Sequence, residues 1–318
     1  MTASRIAALG HHQPQRVLTN DDLATMVDTS DAWIRQRTGI ATRHIADEDE
    51  TVADLAVAAA GKALAAAGLD PSEVDLVVVA TSSAVDRSPS TAARVAARLG
   101  MTAPASYDLN NACAGFTTAL AAADHSVRAG AARHALVIGA EKMSDLTDWS
   151  DRSTCVLLGD GAGAAVVSAV DAAPGTLPGI GPVVWGSDPT RADAVRLAGA
   201  WQPRFAQDGQ AVFRWATTTL APIAEEACRR AGVAVGDLGG IVTHQANLRI
   251  IEAVVRQLGA PQAVVARDVV DSGNTSAASV PLAFSKLVER GELTAGAPVL
   301  LLGFGGGLSW AGQVVGCP

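Results

Sequence analysis

The stretch Ser106-Tyr-Asp-Leu-Asn-Asn-Ala-Cys113-Ala-Gly-Phe-Thr117 joins a short predicted strand to a predicted helix. The strand covers Ser106–Leu109, and the helix opens at Cys113 and continues to about Arg128. A strand that leads directly into a helix is the repeating unit of an α/β protein. A thiol therefore stands where a strand ends and a helix begins.

The residues around this junction repeat the order of helix and strand. Thr51–Ala67 is rich in Ala and Leu, has no Pro and is followed by Gly68, as is typical of a helix with a glycine stop. Val74–Ala80 is a β-branched apolar run of strand length. A helix over about 90–99 and a strand at His134–Gly139 complete the first half of the pattern.

The later part of the chain has the same order. Helices are predicted at Val212–Ala231, Arg249–Leu258 and Ser279–Glu289, and strands at Ile241–Thr243 and Val299–Leu302. The spacing also repeats, because Cys113 lies 32 positions after Thr81 and Asn274 lies 31 positions after Thr243. Each half thus delivers a polar residue to the start of a comparable helix.

Each half then ends in a Gly-rich segment and an apolar strand. Gly159–Gly163 precedes Ala164–Val167, and Gly303–Gly307 precedes Trp310–Val315. We predict two pseudo-equivalent α/β halves with layered sheets, residues 1–172 and 173–318, joined near residues 170–180. The segment Ala172–Gln210 is rich in Pro, Gly and Asp and is predicted to be a long loop.

Length and composition exclude several classes of protein. A chain of 318 residues fits two domains or one duplicated domain, and 49% hydrophobic with 18% charged residues is typical of a folded chain. A net charge of −8 without any Lys/Arg run argues against nucleic acid as a partner. Apolar runs are shorter than the roughly 18 residues that span a bilayer, and the N-terminus lacks signal-peptide features. We expect a cytoplasmic protein that does not bind membranes.

The four cysteines lie far apart, which predicts neither a disulfide framework nor a zinc site. Cys113 is a candidate nucleophile, because free backbone N–H groups and the dipole of a helix N-terminus stabilise a thiolate and can receive an oxyanion. A small buried thiol in a tight turn is the alternative. Cys155 and Cys228, predicted mid-strand and mid-helix in apolar surroundings, are expected to be packing residues.

Two further residues stand at matching places. His244 directly follows the strand Ile241–Thr243, at the carboxyl end where α/β proteins build their sites. Asn274 lies between a predicted strand and a helix, where an asparagine can also be an N-cap or turn residue. Together with Cys113 they supply one thiol nucleophile and two neutral hydrogen-bond donors, which one cleft of a duplicated fold could gather.

Two Gly-rich segments have competing interpretations. Gly159–Ala164 formally fits a dinucleotide fingerprint, but a strand pattern follows it and no acidic residue stands about 20 positions later, so a turn is favoured. Phe304–Gly307 is either a plain turn or one whose glycines let a backbone amide approach a substrate oxygen. The pair His11-His12 has no ligand partner at useful spacing, and no metal is expected.

The quoted segments resemble the β-ketoacyl-acyl carrier protein synthase III family of the thiolase fold over essentially the whole chain. The segments that carry the resemblance are Ser30–Ile34, Arg37–Ile40, Ala112–Phe116, Asp151–Arg152, Gly159–Ala164, His244–Arg249, Gly273–Pro281 and Phe304–Gly307. The resemblance implies a homodimer of five-layered αβαβα subunits that catalyses the first condensation of type II fatty acid synthesis.

The resemblance also implies a mechanism. Cys113 takes an acyl group from acyl-CoA, and the backbone amides of Cys113 and Gly306 hold the tetrahedral oxyanion. Malonyl-acyl carrier protein then loses CO₂, and His244 and Asn274 stabilise the enolate that attacks the thioester. Neutral donors suit that developing charge, whereas a carboxylate at position 274 would oppose it. Acyl-CoA is a substrate, so no cofactor is expected.

Further residues match the family's binding sites. The resemblance assigns CoA contacts to Trp33, Arg37, Arg152, Gly209, Phe213 and Asn247, and docking of an acidic carrier protein to Arg214, Arg249 and Arg256. It assigns the acyl pocket to Ser88, Leu157, Leu158 and Phe304. From the sequence alone, Trp33 could be a locally packed aromatic residue, and Arg249 and Arg256 could be solvated on one helix face.

Two departures from the family bear on the starter substrate. Acetyl-selective members carry a bulky Phe before the Pro of the segment that lines the partner's acyl pocket, whereas Ser88 stands there in this chain. We therefore hypothesise a roomier pocket that accepts branched or longer acyl-CoA. The loop Trp185–Arg204 matches the family poorly, and Trp185 or Trp201 could refill the space beside Ser88.

Other functions stay open at this point. An acyltransferase acting on an alcohol or amine would need no enolate-stabilising amide, so Asn274 argues against it. A priming synthase of a polyketide pathway would use the same chemistry and is not distinguished by the sequence. A non-catalytic scaffold subunit would not need the thiol, and a nicotinamide oxidoreductase rests on the Gly159 segment alone.

Overall fold

Two five-stranded sheets with the same strand order form the frame of the protein, as seen in a computed structural model that describes residues 2–86, 88–171 and 179–318. The strands of the first half are β1 (Thr2–His12), β2 (Val17–Thr19), β3 (Thr42–His44), β4 (Leu76–Ala80), β5 (Ala105–Leu109), β6 (His134–Lys142) and β7 (Asp160–Asp171). Those of the second half are β8 (Val184–Ser187), β9 (Val195–Ala198), β10 (Arg204–Gln207), β11 (Gly240–Thr243), β12 (Val264–Val265), β13 (Pro298–Gly305) and β14 (Ser309–Gly316).

The helices flank these sheets and connect their strands. In chain order they are α1 (Asn20–Ala24), α2 (Asp31–Thr38), α3 (Val52–Ala67), α4 (Thr91–Arg98), α5 (Gly115–Arg128), α6 (Gly209–Ala231), α7 (Leu248–Leu258), α8 (Val269–Ser272) and α9 (Ser279–Glu289). Within the described ranges, no helix is both long enough and apolar enough to cross a membrane.

The two sheets are topologically equivalent. The first has the order β5-β4-β6-β7-β1 and the second the order β12-β11-β13-β14-β8. In each, the first two pairings are parallel and the last two antiparallel. The predicted duplication is confirmed at the level of topology, while the predicted boundary between residues 172 and 173 lies outside the described residues.

The five layers follow from strands that are apolar on both faces. In β4, Val77 and Val79 point to α3 and α4, while Val78 points to the opposite face of the sheet. Helices α5 and α9 lie between the sheets, where Phe116 and Phe284 join the core shared by both halves. Helices α6 and α7 cover the outer face of the second sheet. The αβαβα arrangement predicted from the resemblance is confirmed.

Most predicted elements are found within two or three residues of their predicted ends. Helix α3 begins after the capping box of Thr51 and Asp54 and ends at Gly68, whose φ of 61° is left-handed. Helix α5 begins two residues later than expected, because Cys113 lies in a 3-10 turn at Ala112–Ala114 that precedes it.

Three local predictions are wrong. Gly159–Gly163 is not a turn, because residues from Asp160 onward form strand β7. The segment predicted as one long loop contains β8 and the hairpin of β9 and β10. Cys155 lies in a turn, not in a strand, although it is buried as expected.

The glycines of β7 are explained by the helix packed on the strand. A Cβ atom at Gly163 would lie 2.4 Å from the Leu282 backbone nitrogen and 2.6 Å from the Pro281 carbonyl carbon in α9. The glycine run therefore brings the backbone of β7 close to α9 and the segment just before it, and has no need of a bound phosphate.

Gly163→Ala should destabilise the protein, because the added methyl group meets backbone atoms that cannot rotate away. We expect the free energy of unfolding in urea to fall by about 1–3 kcal/mol. Gly61→Ala in α3 is the control, since its nearest neighbour would be a Leu99 carbon at 4.0 Å. That variant should be neutral or stabilised by roughly 0.5–1 kcal/mol. Equal stability of Gly163→Ala and wild type would contradict this account of the packing.

Candidate active site

Cys113 lies in the turn that connects strand β5 to helix α5. Its side chain is 8% exposed, and the preceding Ala112 has a φ of 44°, which is uncommon for a residue with a side chain. Strand β13 passes directly beside it, because a Cβ atom at Gly305 would lie 2.7 Å from the Cys113 Cβ. The thiol is thus held by a strained turn on one side and a glycine of the second sheet on the other.

A cavity of about 400 Å³ opens at Cys113. Its apolar wall comes from Met143 and from the β9–β10 hairpin, through Val195, Leu197 and Phe205. The sequence analysis missed this hairpin because it falls in the segment interpreted as a loop. An apolar wall next to a thiol suits an acyl chain.

The four residues predicted for the acyl pocket are not among those that line this cavity. Leu157 lines a second, larger groove. Leu158 is buried and pairs through its backbone with Asn274. Phe304 packs against the His244 ring, and Ser88 is exposed on the surface of the single chain.

Two backbone amides point at the Cys113 sulfur. The N–H groups of Cys113 and Gly306 both hydrogen-bond to it, and each lowers the pKa of the thiol. These are the two amides predicted to hold an oxyanion. Their convergence on one point of the cavity is the geometry that such a role requires.

The thiol itself is protonated at neutral pH. Burial raises the pKa of Cys113 to about 11, against the smaller lowering effects of the Ser276 hydroxyl and the two amides, and the charge of Glu141 raises it further. The backbone amides favour the thiolate, as the sequence predicts, but burial has the larger effect on the pKa of the thiol.

His244 directly follows β11 and is 2% exposed. Burial lowers its pKa to about 3, so the imidazole is neutral at physiological pH. Its Nδ1 is 2.7 Å from Ser279 Oγ, and that oxygen also accepts the Gln245 N–H at 3.3 Å. A Ser279 hydroxyl that donates to Nδ1 would leave the ring proton on Nε2, the tautomer that a donor role for Nε2 needs.

The backbone of Asn274 is fixed on both sides. Its N–H donates to the Leu157 carbonyl oxygen at 2.8 Å, and its own carbonyl accepts the Gly159 N–H at 3.1 Å. Side-chain Oδ1 accepts the Ser276 N–H at 2.9 Å, so Asn274 is a turn residue, as one of the two interpretations of the sequence predicted. Within the described part of the chain, no residue accepts a hydrogen bond from Nδ2, which leaves that amide N–H for a ligand.

The segment Asn274–Ser279 contains one of the three predicted residues and contacts the other two, although neither His244 nor Asn274 is among the residues that line the cavity at Cys113. Asn274 stands at its start, Ser276 contacts the thiol of Cys113 and lines the same cavity, and Ser279 fixes the ring of His244. Neither serine was predicted from the sequence to have a role in the site. Serines are common in turns and at helix starts, so their type alone gave no signal.

A second groove of about 650 Å³ gathers most of the predicted CoA residues. Trp33, Arg37, Gly209, Phe213 and Asn247 line it. The guanidinium carbons of Arg37 and Arg152 lie 4.6 Å and 4.9 Å from the centre of the Trp33 ring. Trp33 therefore packs against two arginines and also lines the groove. Both interpretations from the sequence, a locally packed aromatic residue and a contact for CoA, are compatible with this position.

Cations surround this groove although the chain is acidic overall. Arg214 and Arg249, predicted for carrier docking, line it together with Arg37, and the Arg249 guanidinium lies 5.1 Å from the centre of the Phe213 ring. Arg256 is exposed on α7 and does not line the groove. A local excess of arginine suits phosphate or carboxylate groups of a ligand.

No group of three or more His, Cys, Asp or Glu side chains within the described ranges could hold a metal ion.

Cys228 is buried in α6, and burial raises the pKa of its thiol to about 11. It packs with the second sheet, as the sequence predicted.

Comparison with known proteins places this site in a family context. Two family models match the chain: 3-oxoacyl-[acyl-carrier-protein (ACP)] synthase III over residues 107–189, and its C-terminal part over residues 228–317. The chain is 68% identical to beta-ketoacyl-[acyl-carrier-protein] synthase III 2 of Streptomyces avermitilis, and the alignment covers 100% of both chains. It is 67% identical to beta-ketoacyl-[acyl-carrier-protein] synthase III 4 of Streptomyces coelicolor, covering 99% of each.

Solved structures show the same architecture. The priming beta-ketosynthase from the R1128 polyketide biosynthetic pathway has a TM-score of 0.96 at 45% identity, with 99% of this chain and 96% of that chain covered. The 3-oxoacyl-(acyl carrier protein) synthase III of Pseudomonas aeruginosa has a TM-score of 0.94 at 42% identity, with 99% and 98% covered. The predicted thiolase-like fold is confirmed.

The state of His244 can be read by nitrogen NMR of histidine-labelled protein. We expect one neutral Nε2–H tautomer that does not titrate between pH 8 and 5, because burial holds its pKa near 3. Ser279→Ala should leave the ring neutral but mix the tautomers. Since an unfolded histidine gains its proton near pH 6.5, neutral His244 also makes native stability fall as the pH falls below 6.5.

The matched control is Ser285→Ala, whose hydroxyl lies 2.9 Å from Nδ1 of His11. That variant should alter the His11 signal and leave the His244 signal unchanged. A protonated His244 at pH 6 in the folded protein would overturn the assignment.

Proposed function

This chain belongs to the 3-oxoacyl-[acyl-carrier-protein] synthase III family and is a condensing acyltransferase, and we propose that it uses Cys113, His244 and Asn274 to join an acyl group from acyl-CoA to malonyl-acyl carrier protein. The observation that carries the residue assignment is the segment Asn274–Ser279, which contacts both Cys113 and His244. The product is a 3-oxoacyl thioester of the carrier protein.

The first step is acylation of Cys113. The CoA moiety lies in the groove of Trp33 and Phe213, and the arginines around the groove receive its phosphates. The sulfur attacks the thioester carbonyl, and the negative oxygen binds to the amide N–H groups of Cys113 and Gly306. The acyl chain extends along the apolar wall formed by Met143 and the β9–β10 hairpin.

The second step is decarboxylation of the malonyl group. Loss of CO₂ places negative charge on the thioester oxygen, and His244 Nε2–H and Asn274 Nδ2–H donate to it. Preorganised donors of this kind lower a barrier by about 3 kcal/mol each. A neutral imidazole held in one orientation is what the burial of His244 and its bond to Ser279 provide. The resulting carbanion attacks the acyl group on Cys113.

Docking of the carrier protein is assigned to Arg214, Arg249 and Arg256. All three are exposed, and the first two line the CoA groove. An acidic carrier that binds there would place its phosphopantetheine at the same entrance that CoA uses. Local positive charge can steer such a partner despite the net charge of −8. No cofactor takes part in this scheme.

A priming ketosynthase is the second candidate function. The structure of such an enzyme matches this chain with a TM-score of 0.96. Both candidates use the same three residues and the same two substrates by chemical class. They differ in the carrier protein that receives the product and in the starter acyl group.

Asn274→Ala tests whether Asn274 is needed for decarboxylation but not for acylation of Cys113. We expect acyl-CoA still to acylate Cys113, detected as an added mass on the intact protein, while CO₂ release from malonyl-carrier falls by at least about 100-fold. The loss is specific because Asn274 donates only to the enolate. Unchanged decarboxylation would refute this role.

Two cysteine variants are the controls for this experiment. Cys113→Ala should abolish the acyl adduct, whereas Cys228→Ala should retain it because Cys228 is buried in α6, in the separate core beneath the second sheet. An adduct that persists without Cys113 would contradict the proposed nucleophile. A wild-type chain that forms no adduct at all would favour a scaffold subunit.

A cytoplasmic homodimer is part of the proposal. Strand β5 is the edge of its sheet, and Tyr107 on it is 39% exposed, so the edge can receive a strand of a second copy. Ser88 and the 80% exposed Val85 lie on the surface of the single chain. A second copy would give that surface segment the place in the partner's acyl pocket that the resemblance assigns to it.

Trp185 and Trp201 do not fill the cavity of their own chain. They are 50% and 90% exposed, and neither is among the residues that line the cavity at Cys113. Our proposal of a roomier acyl pocket therefore rests on Ser88 alone.

Ser88→Phe should change the starter preference. We expect wild type to accept isobutyryl-CoA as well as or better than acetyl-CoA, and the variant to lose roughly tenfold or more in the isobutyryl rate relative to acetyl. Because Ser88 does not line the cavity of its own chain, such a change requires a second copy, which sedimentation at micromolar concentration should show. Strict acetyl preference in wild type, or a monomer that shows the same shift, would contradict the proposal.

A further inference from the structure

Glu141 is a fully buried carboxylate near the end of β6. The proposed mechanism assigns no role to it. It accepts backbone N–H groups from Ser82 at 3.1 Å and Ser83 at 3.0 Å, and hydroxyl groups from both serines and from Thr81. These donors all belong to the loop that follows β4. A buried charge with so many donors is held in place at a high cost in desolvation, which calls for a reason.

The other side of Glu141 faces the active site. The Ala277 nitrogen lies 3.5 Å from its Oε1, and the Ser276 hydroxyl is close enough to the carboxylate to lower its pKa. The same hydroxyl also lowers the pKa of the Cys113 thiol, and Ser276 and Cys113 line the same cavity. Ser276 has a φ of 48°, an uncommon conformation that is retained at the wall of the cavity. One hydroxyl thus connects the nucleophile to a buried carboxylate.

Acylation requires the thiol to lose its proton, and other candidate acceptors are poorly suited. The Nδ1 of His244 is already hydrogen-bonded to Ser279, and burial lowers the pKa of the ring to about 3. Lys142, next in sequence to Glu141, donates instead to the carbonyl oxygens of Asp47 and Glu48. Burial raises the pKa of Glu141, which makes this carboxylate a better base than an exposed one.

We propose that Ser276 and Glu141 form a proton relay for the acylation of Cys113, an inference that rests on the function proposed above. As the Cys113 sulfur bonds to the thioester carbonyl carbon, its proton passes to the Ser276 oxygen and the Ser276 proton passes to the Glu141 carboxylate. When the carbon–sulfur bond to CoA breaks, Glu141 returns a proton to the Ser276 oxygen, and the Ser276 hydroxyl gives its own proton to the departing CoA sulfur. Cys113 is then a thioester, CoA a thiol, and Glu141 again a carboxylate.

A purely structural task is the competing explanation, in which Glu141 only ties the Thr81–Ser83 loop to the segment around Ser276. The two explanations differ in what a neutral replacement does. Glutamine keeps the shape of the side chain and an acceptor oxygen but takes up no proton. It also removes the negative charge that raises the pKa of the Cys113 thiol.

The experiment measures two reactions of the same sulfur. In single-turnover acylation by acyl-CoA at pH 7.5, we expect Glu141→Gln to be slower than wild type by about 100-fold, the usual range for loss of a positioned base. Alkylation of Cys113 by iodoacetamide, which needs only the thiolate, should be as fast as in wild type or faster. Opposite changes in the two rates are not expected from disordered packing, which would alter both alike.

Two further variants support the interpretation. Ser276→Ala breaks the path while leaving Glu141 charged, so acylation should fall by a similar factor without any gain in alkylation. Thr81→Val removes one donor to Glu141 at 3.2 Å and leaves Ser276 in place. It is the matched control, and its acylation rate should stay within about threefold of wild type. Ser276→Ala carries the test on its own if Glu141→Gln fails to fold.

Acylation by Glu141→Gln within threefold of the wild-type rate would overturn the relay. So would a parallel loss of both reactions in Glu141→Gln and Thr81→Val, which would assign the network to structure alone. Failure of the proposed function gives a different result, because wild type itself would then form no acyl adduct.

Discussion

The active site depends on the hydrogen bonds of a single short segment between the two sheets. Asn274–Ser279 is fixed at its start to the backbone of Leu157 and Gly159, and it contacts Cys113 through Ser276 and His244 through Ser279. The thiol comes from the first half of the chain, and the imidazole and carboxamide come from the second. Because the segment is buried and hydrogen-bonded at both ends, its backbone keeps its place without a ligand.

Burial sets the charge of each group in the site. It raises the pKa of the thiol and lowers that of the imidazole, so both are neutral at physiological pH. A neutral donor is suited to an enolate, but a neutral thiol must lose its proton before it attacks. The carboxylate of Glu141, one hydroxyl away from the sulfur, resolves this conflict in our proposal, and the arginine-lined groove keeps positive charge at the entrance where anionic substrates bind.

Local sequence patterns predicted secondary structure best where the residues of a single helix or strand determine it. The Gly68 stop of α3 and the β-branched run of β4 predicted a helix and a buried strand correctly. Pattern failed at Gly159–Gly163, where glycine signals a turn in isolation but marks close packing of β7 against α9 in the fold. It failed again at the β9–β10 hairpin, because the longer segment around it is rich in Pro, Gly and Asp and was predicted to be a loop, although the hairpin carries the apolar residues that form the cavity wall.

By itself, the sequence determined the α/β class, the duplication and the candidate set of Cys113, His244 and Asn274, because strand-to-helix junctions and their spacing are local properties of the chain. Only the tertiary structure decided that the thiol is protonated, that Ser279 hydrogen-bonds to His244, and that Ser276 and Glu141 lie behind the nucleophile. The physical reason is that burial and hydrogen bonding between residues far apart in sequence depend on how the two sheets pack, which no local pattern records.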